Sequence, residues 1–285
     1  MKIAITGSSG FVGKHLIQKL RLLKAEIIEI DLDKGIDIVN WEIISRVGAF
    51  DVLLHLAAKS FVPDSFTDPS SVYNTNILGT LNVLELCKKY NARMIYISSY
   101  VYGNPEYLPI DENHRVNATN PYAQSKLIGE DLCKAYYRDF NVPTFIFRPF
   151  NIYGKGQNAK FLIPSIIEQA KTGKVVLNDS RPKRDFIYID DIVNAYIKAI
   201  YFDLKSIEIV NLGSGSSTSV MELVQIIKTK MQDEFTVSYR EIIRKSEVLN
   251  TVADISRAQY LLNWKPKISL EEGLSDIILD SYENP

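Results

Sequence analysis

Short apolar stretches alternate along the first half of the chain with longer stretches in which apolar residues recur every three or four positions. The short stretches are typical of buried strands, and the longer ones of helices that pack on a sheet. Strands are predicted at residues 2–6, 26–30, 51–56, 93–99 and 143–147, and helices at 14–24, 69–90 and 121–140. Strands that alternate with helices at this spacing predict an α/β fold with a doubly wound parallel sheet.

The pattern changes after Gly154, where the predicted elements become shorter and more mixed. Helices are expected near residues 163–172, 190–201, 221–231 and 256–262, with a strand that ends near Asn211 and a tail after Pro266. We therefore expect a first domain at residues 1–153 and a smaller, mixed α/β lobe at residues 154–285. Segments near 184–213 are expected to return to the first domain.

Composition excludes several classes of protein. The 285 residues carry a net charge of −1, so no basic footprint for nucleic acid is visible. No apolar run approaches the roughly 18 residues of a membrane span, and the first residues lack the apolar region of a signal peptide. Cys87 and Cys133 are lone thiols typical of a reducing compartment, and the three histidines show no metal-ligand spacing. We expect a cytoplasmic protein without a metal or membrane partner.

Three glycines, Gly7, Gly10 and Gly13, lie between the first strand and the first helix. Glycines there permit a tight turn and close approach of the backbone to a pyrophosphate, which binds at the helix N-terminus. Asp31 ends the second strand, and a carboxylate at that place accepts hydrogen bonds from a ribose diol and repels a 2′-phosphate. This arrangement favours NAD over NADP. An ordinary turn is the alternative for the glycines.

The stretch from Asn120 to Lys126 predicts both a helix start and a proton-transfer group. Asn120 is a favourable N-cap and Pro121 suits the first helical position. Tyr122 and Lys126 then share one helix face, where an ammonium near a phenol lowers its pKa and suits it to acid/base chemistry. The alternative is that Tyr122 and Lys126 are merely neighbours on the helix surface without a role in proton transfer.

Two hydroxyls end the fourth predicted strand, at Ser98 and Ser99. Open α/β sheets bind ligands beyond the carboxyl ends of their strands, so these serines are well placed for chemistry. His55, in the third strand, is expected to be a packed strand histidine.

The motifs occur in a fixed order along the chain. They are the glycine turn, Ser98-Ser99, Tyr122-x-x-x-Lys126, Arg148-Pro-Phe-Asn151, Arg184-Asp-Phe and Asn211-Leu-Gly-Ser-Gly. The ordered set resembles the extended short-chain dehydrogenase/reductases, in their nucleotide-sugar epimerase, dehydratase and reductase group, which includes the UDP-glucose/galactose 4-epimerases. The resemblance covers essentially the whole chain and implies a Rossmann-type NAD-binding domain followed by a nucleotide-sugar lobe.

The resemblance also implies residue roles. Tyr122 would be the catalytic acid/base, Lys126 would anchor the nicotinamide ribose, and Ser98, four residues before Tyr102, would hold the substrate oxygen. With Tyr122 and Lys126, the implied cofactor contacts are Gly7, Gly10, Phe11, Val12, Gly13, Asp31, Asp37, Ile38, Leu56, Ala57, Ala58, Lys59, Asn76 and Pro149. The implied substrate contacts are Ser98, Ser99, Tyr100, Asn151, Arg184 and Arg244. Either arginine could instead form a surface ion pair.

The chain departs from one subgroup of that family. In 4,6-dehydratases an acidic pair follows the catalytic hydroxyl, whereas here Ser99 and Tyr100 follow Ser98. A 4-epimerase, which oxidises C4 of the sugar transiently and returns the hydride, and an NAD(P)H-dependent 4-keto-6-deoxy-sugar reductase remain. Asp31 favours the epimerase, and the short loop after Asn151 favours the reductase. A catalytically inactive cofactor-binding relative is disfavoured because Tyr122 and Lys126 are both present.

The resemblance implies partners as well. The expected substrate is a nucleotide-diphosphate sugar, UDP- or dTDP-linked. The helices that carry residues 78–87 and 127–136 correspond to the pair that forms a four-helix dimer interface in the family, so a homodimer is expected.

Overall fold

A six-stranded parallel sheet forms the centre of the computed structural model, which describes residues 1–231, 233–242 and 247–283. In sheet order the strands are β10-β5-β4-β3-β1-β2. The strands described in the chain are β1 Lys2–Thr6, β2 Glu26–Ile30, β3 Val52–His55, β4 Arg93–Ile97, β5 Thr144–Pro149, β6 Asn151–Tyr153, β7 Lys174–Leu177, β8 Lys183–Arg184, β9 Phe186–Tyr188, β10 Ile207–Leu212, β11 Thr218–Ser219 and β12 Thr236–Tyr239. The predicted doubly wound α/β sheet is confirmed.

The strand order reverses between β1 and β3, because the chain runs outward from β1 to β2 and then crosses back to β3. Crossover loops leave the carboxyl ends of β1 and β3 in opposite directions, which opens a crevice between them where such sheets bind ligands. The glycine turn follows β1, and residues 56–59 follow β3. The fold therefore brings two of the predicted cofactor segments to one crevice.

Helices cover both faces of the sheet. They are α1 Phe11–Leu22, α2 Trp41–Ile44, α3 Val62–Thr67, α4 Pro69–Tyr73, α5 Gly79–Tyr90, α6 Pro121–Phe140, α7 Leu162–Lys171, α8 Ile189–Tyr201, α9 Val220–Lys230, α10 Ser256–Leu262 and α11 Leu270–Glu283. The prediction of a tail after Pro266 is wrong, because the helix α11 forms there and buries Leu274, Ile277 and Ile278.

Alternation along the strands divides the core into two layers. Ile3 and Ile5 face one layer with residues of α1 and α8, whereas Ala4 and Leu53 face the other with residues of α5 and α6. Successive strand side chains point to opposite faces, so a parallel sheet buried on both sides needs apolar residues at almost every position. This requirement explains the continuous apolar stretches in the sequence.

The helix predicted at residues 69–90 is interrupted by a π-helical segment, Asn74–Leu78, between α4 and α5. Such segments are rare and occur frequently at functional sites. Here the segment places Asn76, which is 1% exposed, against the loop after β3.

The second half of the chain adds small two-stranded sheets beside the central one. β6 pairs with β9 and β7 with β12 in parallel, and β8 pairs with β11 in antiparallel fashion. β10, from the same half, completes the central sheet at its edge. The division at residues 153 and 154 stays a prediction. Among the residues described, none of the helices is both long and apolar enough to cross a membrane.

Candidate functional site

The turn after β1 has no room for side chains at two of its glycines. Gly7 adopts a φ of 69°, and a Cβ there would lie 2.7 Å from the backbone N of Ala57. A Cβ on Gly13 would lie 2.3 Å from the carbonyl oxygen of Gly7. The N-cap of α1 is Gly10, which offers no side-chain cap to the first amides of the helix. The turn is therefore shaped so that an anion can reach the helix N-terminus.

A buried hydroxyl in the same turn lacks a partner. Ser8 is 2% exposed, and its Oγ makes no hydrogen bond to any residue in the part of the chain that the structure describes. A buried polar group without a partner is costly, and functional sites are a common explanation. Uncapped helix amides, close-packed glycines and a free hydroxyl together fit a pyrophosphate.

The carboxylate of Asp31 lies directly beside this turn. Its Oδ2 accepts a hydrogen bond from the backbone N of Ser9 (2.8 Å), and its Oδ1 accepts one from Asp33 N (3.1 Å). A carboxylate has about four acceptor sites, so it retains capacity for a ribose diol. Its negative charge at this place disfavours a 2′-phosphate.

The predicted adenine-side pair is a turn with one buried apolar side chain. Asp37 accepts a hydrogen bond from its own turn at Val39 N (3.0 Å), and Ile38 is 5% exposed. The ideal Cβ position of Gly79 lies 2.4 Å from Ile38 Cδ1, so only glycine lets α5 approach this closely. Ile38 is therefore held by packing, and its backbone carbonyl accepts from Asn82 Nδ2 (2.8 Å).

The loop after β3 is fixed from two sides. Ala57 N donates to Thr6 Oγ1 (3.2 Å). Asn76 brackets the backbone of Lys59: its Oδ1 accepts from Lys59 N (2.9 Å) and its Nδ2 donates to Lys59 O (3.1 Å). The Lys59 ammonium donates to Ser71 Oγ. The structure thus joins Ala57, Lys59 and Asn76, all predicted cofactor contacts, in one cluster.

The start of α6 agrees with its prediction. Asn120 has extended backbone angles, and its side chain accepts from Ala123 N (2.8 Å), with Pro121 at the first helical position. This cap fixes which residues of the helix face the sheet. Lys126 lies one turn below Tyr122 and is 3% exposed, with its Nζ donating to Ile97 O (2.8 Å).

Burial controls the protonation of both groups. It lowers the pKa of Lys126 to about 8, against the opposing charges of Cys133 and Glu130. Burial also raises the pKa of the Tyr122 phenol, and a hydrogen bond from the Ser99 side chain opposes that rise. The Lys126 ammonium donates to Ile97 O, and its expected lowering of the Tyr122 pKa stays a prediction.

The two serines after β4 have different environments. Ser98 is 2% exposed, and its hydroxyl donates to Glu130 Oε1 (2.6 Å) in the core. Ser99 is only partly buried and contacts Tyr122. Ser99 is thus the serine beside the predicted acid/base, and the substrate-binding role of Ser98 stays a prediction.

Sequence reasoning missed a buried ionic network beneath the site. Arg148 binds Glu130 with two hydrogen bonds, Nε to Oε1 (2.9 Å) and Nη2 to Oε2 (2.6 Å), and the two side chains are 3% and 0% exposed. Arg148 Nη1 also donates to Tyr102 Oη (3.0 Å), which donates to Asn211 Oδ1 (2.6 Å). A signal existed, since Glu130 follows Lys126 at the same four-residue spacing that places Lys126 after Tyr122.

Three of the predicted substrate residues, Asn151, Arg184 and Arg244, lie in the second half of the chain. Asn151 Nδ2 donates to Asp185 O (3.0 Å). Arg184 is a partly buried ion-pair partner of Glu247 and donates to Val248 O (2.5 Å). Arg244 lies outside the described residues. Glu247 was not predicted.

Tyr100 is turned toward its own loop. Its hydroxyl donates to Gly103 O (2.6 Å), and its ring packs edge-on against Tyr102 and Phe150. Burial raises the pKa of this phenol. The residue is thus a neutral part of the wall beside Arg184, whose charge acts on it.

The chain is similar to several enzymes of nucleotide-sugar metabolism over nearly its whole length. The chain is 33% identical to a putative UDP-glucose 4-epimerase of Methanocaldococcus jannaschii, over 97% of each chain. It is 29% identical to the GDP-6-deoxy-D-mannose reductase of Pseudomonas aeruginosa, over 98% of this chain and 96% of the relative. The crystal structure of UDP-glucose 4-epimerase with UDP-glucose from Thermotoga maritima superposes with a TM-score of 0.91 at 27% identity, over 99% of both chains.

A family model covers most of the chain, including every motif up to Gly213. The model describes the NAD dependent epimerase/dehydratase family and matches residues 3–213. The residues around the β1 turn fit the cofactor that this description names. The protein is an NAD-dependent enzyme, and its chain belongs to the NAD-dependent epimerase/dehydratase family of extended short-chain dehydrogenase/reductases.

Proposed function

We propose that this chain is an NAD-dependent nucleotide-sugar 4-epimerase that uses Tyr122 as its acid/base. The observation that carries the proposal is the contact of Ser99 with Tyr122 above a buried Lys126, at the carboxyl edge of a sheet whose β2 is followed directly by Asp31. These residues supply the proton acceptor, the oxygen-binding hydroxyl and the selection for NAD. The M. jannaschii and T. maritima relatives support the same assignment.

The chain's residues would act on the C4 hydroxyl of the sugar. Tyr122, as phenolate, accepts the hydroxyl proton while Ser99 donates a hydrogen bond to the same oxygen, and the C4 hydrogen leaves as hydride. NAD⁺, when bound, would supply the hydride acceptor. The 4-keto sugar then turns over, the hydride returns to the other face, and Tyr122 returns the proton. No atoms are gained or lost over the cycle.

The residues after Ser98 argue against a dehydratase. Elimination of water needs an acidic pair at that place, and Ser99 and Tyr100 carry no carboxylate. In addition, the Tyr100 hydroxyl donates to Gly103 O, and burial raises the pKa of this phenol. The alternative is an NAD(P)H-dependent 4-keto-6-deoxy-sugar reductase, which uses only the second half of the cycle. The relative from P. aeruginosa and the short loop after Asn151 favour that alternative.

The second half of the chain would bind the nucleotide diphosphate. Arg184, on β8, presents a guanidinium whose forked donors match phosphate oxygens, and Asn151, on β6, donates to the carbonyl oxygen of Asp185, which follows Arg184. We assign the substrate mainly to residues 154–285, together with Asn151, and the cofactor mainly to residues 1–153, with UDP- or dTDP-linked sugars as the class to test.

A nucleotide released from the purified protein distinguishes the two functions. The protein is denatured without any NAD having been added, and the supernatant is analysed by chromatography. We expect near-stoichiometric NAD, followed by C4 inversion of a UDP- or dTDP-hexose without added cofactor. An empty site that fills only with NADH or NADPH, together with turnover of 4-keto-6-deoxy sugars, would establish the reductase instead.

The acid/base assignment is tested by Tyr122→Phe. The variant is expected to keep its NAD and lose turnover by about 10²-fold or more, the usual contribution of a positioned proton-transfer group. Tyr137→Phe is the matched control, because Tyr137 lies on the same helix about 22 Å farther along. Turnover of Tyr122→Phe equal to that of the control would contradict the mechanism.

We also infer a homodimer formed through α5 and α6. Leu78 is 38% exposed, and α6 carries partly buried apolar side chains at Leu127, Ile128 and Leu132. Light scattering should give twice the chain mass of 32.4 kDa. A monomeric mass would reject this assembly.

A further inference from the structure

The imidazole of His55, at the end of β3, is completely enclosed and uses both of its nitrogens. The residue is 1% exposed. Its Nδ1 lies 2.7 Å from Thr6 Oγ1, and its Nε2 lies 3.1 Å from Thr80 Oγ1. The Thr6 and Thr80 side chains are themselves 0% exposed. Every partner of the ring is thus internal, and water does not compete for these contacts.

The surrounding hydrogen bonds fix the direction of each proton. Thr80 Oγ1 donates to Asn76 O (2.6 Å), so its single proton is used and it must accept from His55 Nε2. Thr6 Oγ1 accepts from Ala57 N, so its own proton is available for His55 Nδ1. A neutral ring protonated at Nε2 satisfies every donor. Burial and the charge of Lys126 agree with neutrality, because they lower the pKa of His55 to about 3.

This chain of contacts ends on the π-helical segment. The carbonyl that Thr80 binds belongs to Asn76, whose side chain brackets the Lys59 backbone. Asn76 Nδ2 also donates to Ser125 Oγ (2.9 Å), and Ser125 Oγ donates to Tyr122 O (2.7 Å). One side chain thus ties the loop after β3 to the first turn of α6.

We propose that His55 is a positioning residue: through Thr80 it holds the carbonyl of Asn76, and thereby keeps the Asn76 amide aligned between the Lys59 loop and the catalytic helix. His55 touches none of the reacting groups itself. A π-helical segment lacks the regular i→i−4 ladder, so a side chain that binds its carbonyl selects one arrangement of the segment. The histidine supplies that contact from the neighbouring strand.

The proposal rests on the cofactor loop and on Tyr122, and it holds for an epimerase or a reductase alike. Its first test therefore needs no turnover. The backbone N–H of Lys59 donates to Asn76 Oδ1, so its hydrogen–deuterium exchange in the cofactor-free protein reports the alignment directly.

Two variants break the chain at different points. His55→Leu removes both ring contacts, and Thr80→Val removes only the hydroxyl with little change in shape. In each, exchange at Lys59 is expected to accelerate about tenfold, the factor that corresponds to one lost hydrogen bond. The affinity for NAD, measured by calorimetry, should fall in parallel. His55→Gln should restore part of the slow exchange and part of the affinity, because its amide offers an acceptor and a donor. The variant that combines His55→Leu with Thr80→Val should exchange at Lys59 no faster than His55→Leu alone.

Thr144→Val is the matched control. Thr144, the first residue of β5, is 0% exposed and its hydroxyl donates to Val142 O (3.2 Å), so the same substitution removes a buried hydroxyl outside the chain of contacts. Unchanged exchange at Lys59 in Thr80→Val, or equal acceleration in Thr144→Val, would overturn the proposal. Nitrogen-15 spectra give an independent check: a proton on Nδ1 of His55 in place of Nε2 would overturn it as well.

Discussion

Replacing Lys126 with methionine removes a charge that the folded protein holds at a cost in free energy. The ammonium is 3% exposed, and burial lowers its pKa from 10.5 to about 8 even though Glu130 and Cys133 oppose the shift. Methionine has a similar length and no charge. The variant should lose turnover and yet unfold less easily at neutral pH, because active-site groups are commonly held at the expense of stability.

The sign and size follow from proton linkage. Between pH 8 and 10.5 the unfolded chain binds more protons at this lysine than the folded chain does, so the wild-type free energy of unfolding rises with pH. The free-energy cost of burying the charged Lys126 is fully present below pH 8, where it amounts to about 3 kcal/mol. It falls to about 1 kcal/mol near pH 9.5. Loss of the hydrogen bond to Ile97 O takes back about 1 kcal/mol. The variant should therefore gain about 2 kcal/mol at pH 7 and about nothing near pH 9.5.

Urea unfolding of cofactor-free protein at several pH values measures this difference. NAD must be removed first, since a ligand that binds only the folded state adds its own stability. Lys134→Met is the control: Lys134 lies on the same helix but is 45% exposed, so its replacement should not change the pH dependence. If wild type and Lys126→Met show the same slope between pH 7 and 9.5, the buried lysine is not the source and the reasoning fails.

Three further outcomes are expected. Ser99→Ala should lower turnover about tenfold or more with little change in stability. Ser98→Ala should mainly lower the free energy of unfolding, by about 1 kcal/mol, because it removes a hydrogen bond to Glu130. Turnover assays run beside melting curves distinguish the effect on activity from the effect on stability. Arg148→Met should destabilise by about 3–5 kcal/mol at neutral pH, since it leaves a buried carboxylate unpaired, and urea unfolding would refute this if the loss were below 1 kcal/mol. Gly13→Ala should abolish NAD binding in calorimetry, because its Cβ would lie 2.3 Å from a backbone oxygen.

Features encoded by neighbouring residues could be predicted from the sequence. The cap at Asn120 and the Pro121 start of α6 depend on a few adjacent positions, and the structure places them as expected. The strands of the central sheet are equally local, since burial on both faces requires continuous apolar residues. The family resemblance then supplied residue roles that local patterns alone do not contain.

Features that depend on a shift of one residue, or on contacts between distant parts of the chain, could not be predicted from the sequence. The strand β4 ends at Ile97, and whether Ser98 or Ser99 turns toward Tyr122 depends on the path of the following loop. Counting back from Tyr102 selects Ser98, whereas the structure sets Ser99 beside Tyr122, because neighbouring residues at a strand end point to opposite faces of the sheet. Arg148 and Glu130 meet only because β5 and α6 pack together.

The site is best understood as one column on α6. Tyr122 is partly buried at the cleft, Lys126 is 3% exposed one turn below, and Glu130 is 0% exposed one turn farther into the core. The carboxylate is neutralised by Arg148 and still favours the charged form of Lys126. A helix turns by about 100° per residue, so a start displaced by a single residue would rotate this column off the sheet. The Asn120 cap therefore decides which face of α6 is turned to the sheet, and with it the positions of the residues that we propose for the chemistry.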